Sequence, residues 1–113
     1  MDSQEVCCLL SSVGVPAKVH GRRYLLKAVD ILMSDDEAAF AITKRVYMKV
    51  ADDFDIECKQ VENAMRLAIE QAWKMGGCDR QEKIFGYSRL VRKRPTNSEF
   101  LLGVAEYLKT NDQ

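Results

Sequence analysis

Apolar positions recur every three or four residues along almost the whole chain, and period-two alternation is nearly absent, so the pattern predicts an all-α protein. Leu25, Ala28, Val29 and Leu32 fall on one face of a helix running from about Arg22 to Met33. Ala38, Ile42, Val46 and Val50 make the next apolar stripe, and Ser34 followed by Glu37 reads as the capping box that opens it. A longer stripe begins at Val61, Ala64 and Met65 and continues through Ala68, Ala72 and Trp73 until Gly76-Gly77 stops it. Phe100, Leu101, Val104 and Leu108 give a last helix its buried face, with Thr96 and Glu99 as the capping pair. Two shorter helices complete the set. One opens at Asp2 with Glu5 and is closed by Gly14-Val15-Pro16, and the other starts at Asp79 with Glu82. The expected fold is a compact six-helix bundle, one domain over residues 1–113, with no internal repeat or linker.

Within that pattern the stretch VADDFDIECKQVENAMR, from Val50 to Arg66, reads as a helix-turn-helix formed by the third and fourth helices. Val50, Ala51 and Phe54 mark one face of the first helix, Phe54-Asp55-Ile56 the turn, and Val61, Ala64 and Met65 the buried face of the second. A small residue at Ala51 lets the two helices approach. Asp55 falls where the turn asks for a left-handed backbone, which Asp and Asn tolerate better than most side chains. Any two helices of a bundle can show this spacing, so the pattern alone leaves a plain packing motif open beside a DNA-reading one.

Composition narrows the choice only a little. With 47% hydrophobic and 30% charged residues in 113, the chain has an ordinary globular balance with material for one core. The longest apolar runs fall far short of the ~20 residues that cross a bilayer, and the N-terminus shows no signal-peptide pattern, so a cytoplasmic protein without a membrane segment is expected. Cys7, Cys8, Cys58 and Cys78 lack CxxC spacing and histidine companions, which predicts reduced structural thiols. The formal net charge is zero, a point against phosphate binding, but the charges are segregated. Arg80, Lys83, Arg89, Arg92, Lys93 and Arg94 cluster against the single acid Glu82, while acids gather at Asp35-Asp36-Glu37 and Asp52-Asp53. A polarised molecule of this kind presents a basic face.

Catalytic and metal chemistry finds no constellation. His20 is the only histidine, so neither a histidine-based triad nor a histidine-rich metal site is available, and a surface position is expected for it. The acidic run from Asp52 to Glu57 lacks the glycine and distal glutamate of a calcium loop. Gly76-Gly77 has no preceding strand and no following GK[ST], which leaves it a helix terminator. Trp73, Met33, Met48, Met65 and Met75 read as core fillers. No cofactor, metal or small-molecule substrate is expected, and the protein reads as a non-enzyme.

The outer surface of the fourth helix is chemically competent to read bases. Lys59, Gln60, Glu62, Asn63 and Arg66 all point away from the Val61/Ala64/Met65 face. Gln and Asn pair bidentately with adenine, Lys donates to guanine, and Glu accepts from the cytosine amino group. The same residues make an ordinary solvated helix face, so chemistry alone does not separate the two uses.

Five segments carry a family resemblance that spans nearly the whole chain. They are GVPAKVHGRRYL from Gly14 to Leu25, AITKRVY from Ala41 to Tyr47, VENAMRLAIEQAW from Val61 to Trp73, IFGYS from Ile84 to Ser88 and KRPTNSEFL from Lys93 to Leu101, with the last and GVPA the most specific. The chain resembles the C-terminal effector domain of the stage-zero sporulation response regulator of endospore-forming bacteria. That resemblance implies a six-helix fold, binding to short boxes in double-stranded DNA, and a homodimer that uses the last helix. Family members carry an N-terminal receiver domain; none is expected within residues 1–113, which leaves an effector domain of a longer protein and a short relative both open. The resemblance also exposes a departure: positions that match the family's base-reading Arg, Glu and Arg hold Gln60, Glu62 and Asn63. Two guanidinium forks become amides, at about 1–3 kcal/mol of discrimination each, so an altered box preference is expected. The Ser or Thr expected at the helix cap is replaced by Ile56-Glu57.

The expected function is therefore a sequence-specific transcription regulator. Lys59, Gln60, Glu62 and Asn63 are the candidate base readers, and Lys44, Arg66, Lys93 and Arg94 the candidate phosphate contacts. The alternative is a divergent relative that has lost specific DNA binding and works through protein–protein contact.

Overall fold

The computed structural model of the chain describes residues 3–75, 78–85 and 94–111. Among these, six α-helices form an all-α bundle: α1 (Ser3–Ser12), α2 (His20–Ser34), α3 (Met48–Phe54), α4 (Cys58–Met75), α5 (Cys78–Phe85) and α6 (Asn97–Asn111). The Gly76-Gly77 stop and the cluster of Arg89, Arg92 and Lys93 lie outside the described residues.

Helix α2 is the centre of the packing, with α1, α4 and α6 laid against it. Its expected face is its buried face, since Leu25, Ala28, Val29 and Leu32 are all buried. They meet Leu10 and Val13 from the α1 end, Val61, Met65, Ile69 and Ala72 of α4, and Phe100, Leu101 and Val104 of α6 in one cluster. Burial of a Leu, Ile or Phe side chain contributes about 1.5–3 kcal/mol, so this cluster is the main source of stability. The Cα radius of gyration, 13.1 Å, shows how tightly the helices close around it.

Polar side chains fasten the smaller elements to that core. The Arg22 guanidinium donates to the Val15 carbonyl at 2.8 Å, the Cys7 carbonyl at 2.9 Å and Ser11 Oγ at 2.7 Å, holding the α1 end and the GVPA segment against α2. Gln81 of α5 is buried, and its amide donates to the Val13 carbonyl at 2.9 Å and the Ala72 carbonyl at 3.1 Å. Trp73, Phe85 and Phe100 cluster where α4, α5 and α6 meet, with ring centroids 5.5–6.2 Å apart, Phe85 stacked on Phe100 and Trp73 edge-on to Phe100.

The third helix differs from its expected form. Instead of one helix opened by Ser34 and Glu37, the chain makes a 3₁₀ turn at Asp36–Phe40, a π-helical turn at Ile42–Tyr47 and then the short α3. Ser34 ends α2, its hydroxyl donating back to the Asp30 carbonyl at 3.1 Å, and Asp35 is the cap, its carboxylate accepting the Glu37 N–H at 3.0 Å. Arg45 donates to the other Asp35 oxygen at 3.1 Å, and this partner holds the Asp35 carboxyl below its usual range. In the π turn the Met48 N–H reaches the Thr43 carbonyl five residues back. That wider turn brings Val46 and Tyr47 inward together while leaving Thr43, Lys44 and Arg45 exposed. Met48, expected in the core, is 51% exposed at the start of α3.

Candidate nucleic-acid interface

Helices α3 and α4 are joined by a tight turn of the anticipated kind. Asp55 has φ 55° and ψ 48°, the left-handed conformation its position predicted, and it is the described non-glycine residue with positive φ. The Ile56 N–H donates to the Ala51 carbonyl at 3.0 Å, so the turn folds back on the last residues of α3. Ala51 and Val50 are buried on one side of it and Val61 on the other. Phe54 and Tyr24 meet edge to face at 5.0 Å, which fixes the turn against α2.

With no Ser or Thr at its cap, α4 begins on a different device. The Glu57 N–H donates to Gln60 Oε1 at 2.9 Å, the return half of a capping box without the forward half. Gln60 is thus exposed but turned back toward the helix start, and a base would have to compete with that bond. Cys58, in the first turn, is half-buried, and burial pushes its thiol up, so it is a neutral thiol there.

The remaining candidate base readers divide. Lys59 is exposed, Asn63 is half-buried on the outward side, and Glu62 turns toward the start of α6. There Glu62 and Arg66 of α4, Thr43 and Tyr47 of the π turn, and residues from Arg94 to Ser98 line one open groove. Of the four phosphate candidates, Arg66 and Arg94 are both exposed and line this groove. Lys44 is exposed on the π turn next to Thr43, and Lys93 lies outside the described residues. Arg94 is paired with Glu70 at 2.7 Å, with both groups partly solvated, so it would exchange this partner for a phosphate.

The segment from Pro95 to Phe100 builds the wall of this groove, a role that spacing alone did not disclose. Thr96 Oγ1 accepts the Glu99 N–H at 3.2 Å and Glu99 Oε1 accepts the Thr96 N–H at 2.9 Å, which completes the predicted capping box of α6. The Asn97 side-chain amide donates to the Glu62 carbonyl at 2.9 Å, tying the start of α6 to the middle of α4. Ser98 Oγ lies 3.4 Å from Tyr47 Oη, and burial pushes the Tyr47 phenol up, which keeps it a neutral hydrogen-bonding group. Phe100 is in the core. The π turn and the start of α6, distant in sequence, thus meet along one flank of α4.

The arrangement is a helical bundle whose short α3 and long α4 are set by a tight turn, with a cation-bearing groove along one flank of α4. Residues 6–108 match the family described as Sporulation initiation factor Spo0A C terminal, and the chain belongs to that family. This is a DNA-binding effector domain of a sporulation response regulator, and its association with transcription follows from that membership. Among the described residues no helix is long and apolar enough to cross a membrane.

Proposed function

We propose that the protein is a sequence-specific transcription regulator that lays α4 in the major groove of double-stranded DNA, with a box preference shifted from that of its family. The observation that carries this reading is the α3–turn–α4 geometry, with left-handed Asp55 at the turn and Lys59, Asn63 and Arg66 along the outer side of α4. Lys59, Gln60, Glu62 and Asn63 are the base readers, Lys59 exposed and Asn63 half-buried on the outward side of α4, and Lys44, Arg66, Lys93 and Arg94 hold phosphate. Two amides in place of guanidinium forks move the preference away from guanine and toward adenine. The last helix, α6, which exposes Leu102, is the surface for a homodimer. No small-molecule substrate is part of this reading.

The division of labour is testable by titrating variants against labelled duplexes. Asn63→Ala is expected to relax preference at one or two base pairs, by about 1–3 kcal/mol, with little change in salt dependence. Arg94→Ala should weaken binding to every sequence and lower the salt slope by about one. Identical behaviour of the two variants would contradict the assignment. A second reading, contact with another protein without specific DNA binding, draws on one observation: Gln60 and Arg94 already have intramolecular partners.

A further inference from the structure

The outer face of α4 carries a feature that hydrogen-bond readout does not use. Leu67 is 54% exposed in the middle of that helix. It lies one turn beyond Asn63 and next to Arg66, whereas the buried residues Val61, Met65, Ala68, Ile69 and Ala72 occupy the opposite side. At about 100° per residue, Asn63 falls close to the centre of the exposed arc and Leu67 about 40° to one side, so the two side chains project together.

We infer that Leu67 is a specificity residue that packs on the 5-methyl group of thymine, an inference that rests on the proposed placement of α4 in the major groove. An alkyl side chain cannot pair with the donors and acceptors of a base edge. The thymine methyl is the apolar feature that edge offers, and it marks a T·A pair there. A lone exposed leucine on a protein surface needs no explanation, but this one adjoins the candidate reading surface, one turn beyond Asn63 and next to the candidate phosphate contact Arg66. Solvent that leaves Leu67 and the methyl group on contact favours T over C at that position.

Spacing makes the inference specific. Successive turns of the helix are about 5.4 Å apart and successive base pairs about 3.4 Å, so Asn63 and Leu67 address positions one or two base pairs apart. With Asn63 suited to adenine and Leu67 to thymine, the face of α4 is matched to a short A·T-rich step.

The test uses the duplex that the protein selects from random sequence, with each thymine in turn replaced by uracil, which removes the methyl group and keeps the pairing. The wild-type protein is expected to lose about three- to fivefold in affinity at one thymine, the worth of one buried methyl group. That thymine should lie one or two base pairs from the position relaxed by Asn63→Ala. Leu67→Ala, a surface change that leaves the core intact, should bind the thymine and uracil duplexes equally at that position. A selected duplex whose binding is insensitive to uracil throughout, or an uracil effect that persists unchanged in Leu67→Ala, overturns the role of Leu67 and leaves the parent reading standing. Failure to select any sequence overturns both.

Discussion

Gly21→Ala is expected to lower the melting temperature by roughly 8–15 °C, a large loss for the addition of a single methyl group. Gly21 is buried in the first turn of α2, where that helix crosses α4. A Cβ there would fall inside contact distance of the Ala64 carbonyl and 2.9 Å from Ala68 Cβ. The obstacle is backbone, so relief requires the two helices to separate instead of a side chain to rotate. Alanine is the better helix former by about 1 kcal/mol, and that gain is small against the overpacking, which costs about 3 kcal/mol at this crossing. Thermal and urea melts followed by circular dichroism would measure it. An unchanged or raised midpoint would mean that α2 and α4 do not approach this closely.

The second large effect is expected on binding. Arg66→Glu reverses a charge on the flank of α4 in the groove shared with Glu62 and Arg94. Arg66 is exposed, so the fold should tolerate the change. If this groove holds DNA phosphate, affinity for all duplexes should fall about fiftyfold at ~0.1 M salt, because each lost phosphate contact is worth close to one unit of salt slope and reversal removes about two. Base preference should change little, since the contact positions the helix and does not read it. Binding measured by anisotropy over a range of salt gives both quantities. A variant that binds as tightly as the wild type would take this flank of α4 out of the interface.

Much of the architecture was readable from residues near one another in sequence. Thr96 and Glu99 cap α6 reciprocally as their three-residue spacing implied, and Asp55 takes the left-handed backbone that its place between two helices required. Leu25, Ala28, Val29 and Leu32 showed the buried face of α2 because helical period fixes which side chains share a side. The break before α3 was not readable. Ala38, Ile42, Val46 and Val50 keep a four-residue spacing that suits a continuous α-helix, and only the competition of Asp35 for the Glu37 N–H and the widened turn after Ala41 divide it.

The candidate site was legible as a list and less so as a place. Nothing in the spacing of Gln60 announced that its amide would close back on Glu57 once the usual cap residue was missing, although Gln at the third helical position is the signal that would have found it. The groove joining Glu62, Arg66 and Arg94 depends on Asn97 tying α6 to the Glu62 carbonyl, a contact across 35 residues that local pattern does not encode. The close approach at Gly21 is of the same kind, because its cause is Ala64 and Ala68 on another helix.

Whether α4 reads base sequence is answered by selection of binding sites from random duplex DNA, repeated at low and higher salt. The expected result is an enriched short motif that persists at the higher salt and changes at one or two positions when the selection is repeated with Asn63→Ala. Retention of DNA that is lost on raising the salt and enriches no motif, or no retention at all, would contradict it.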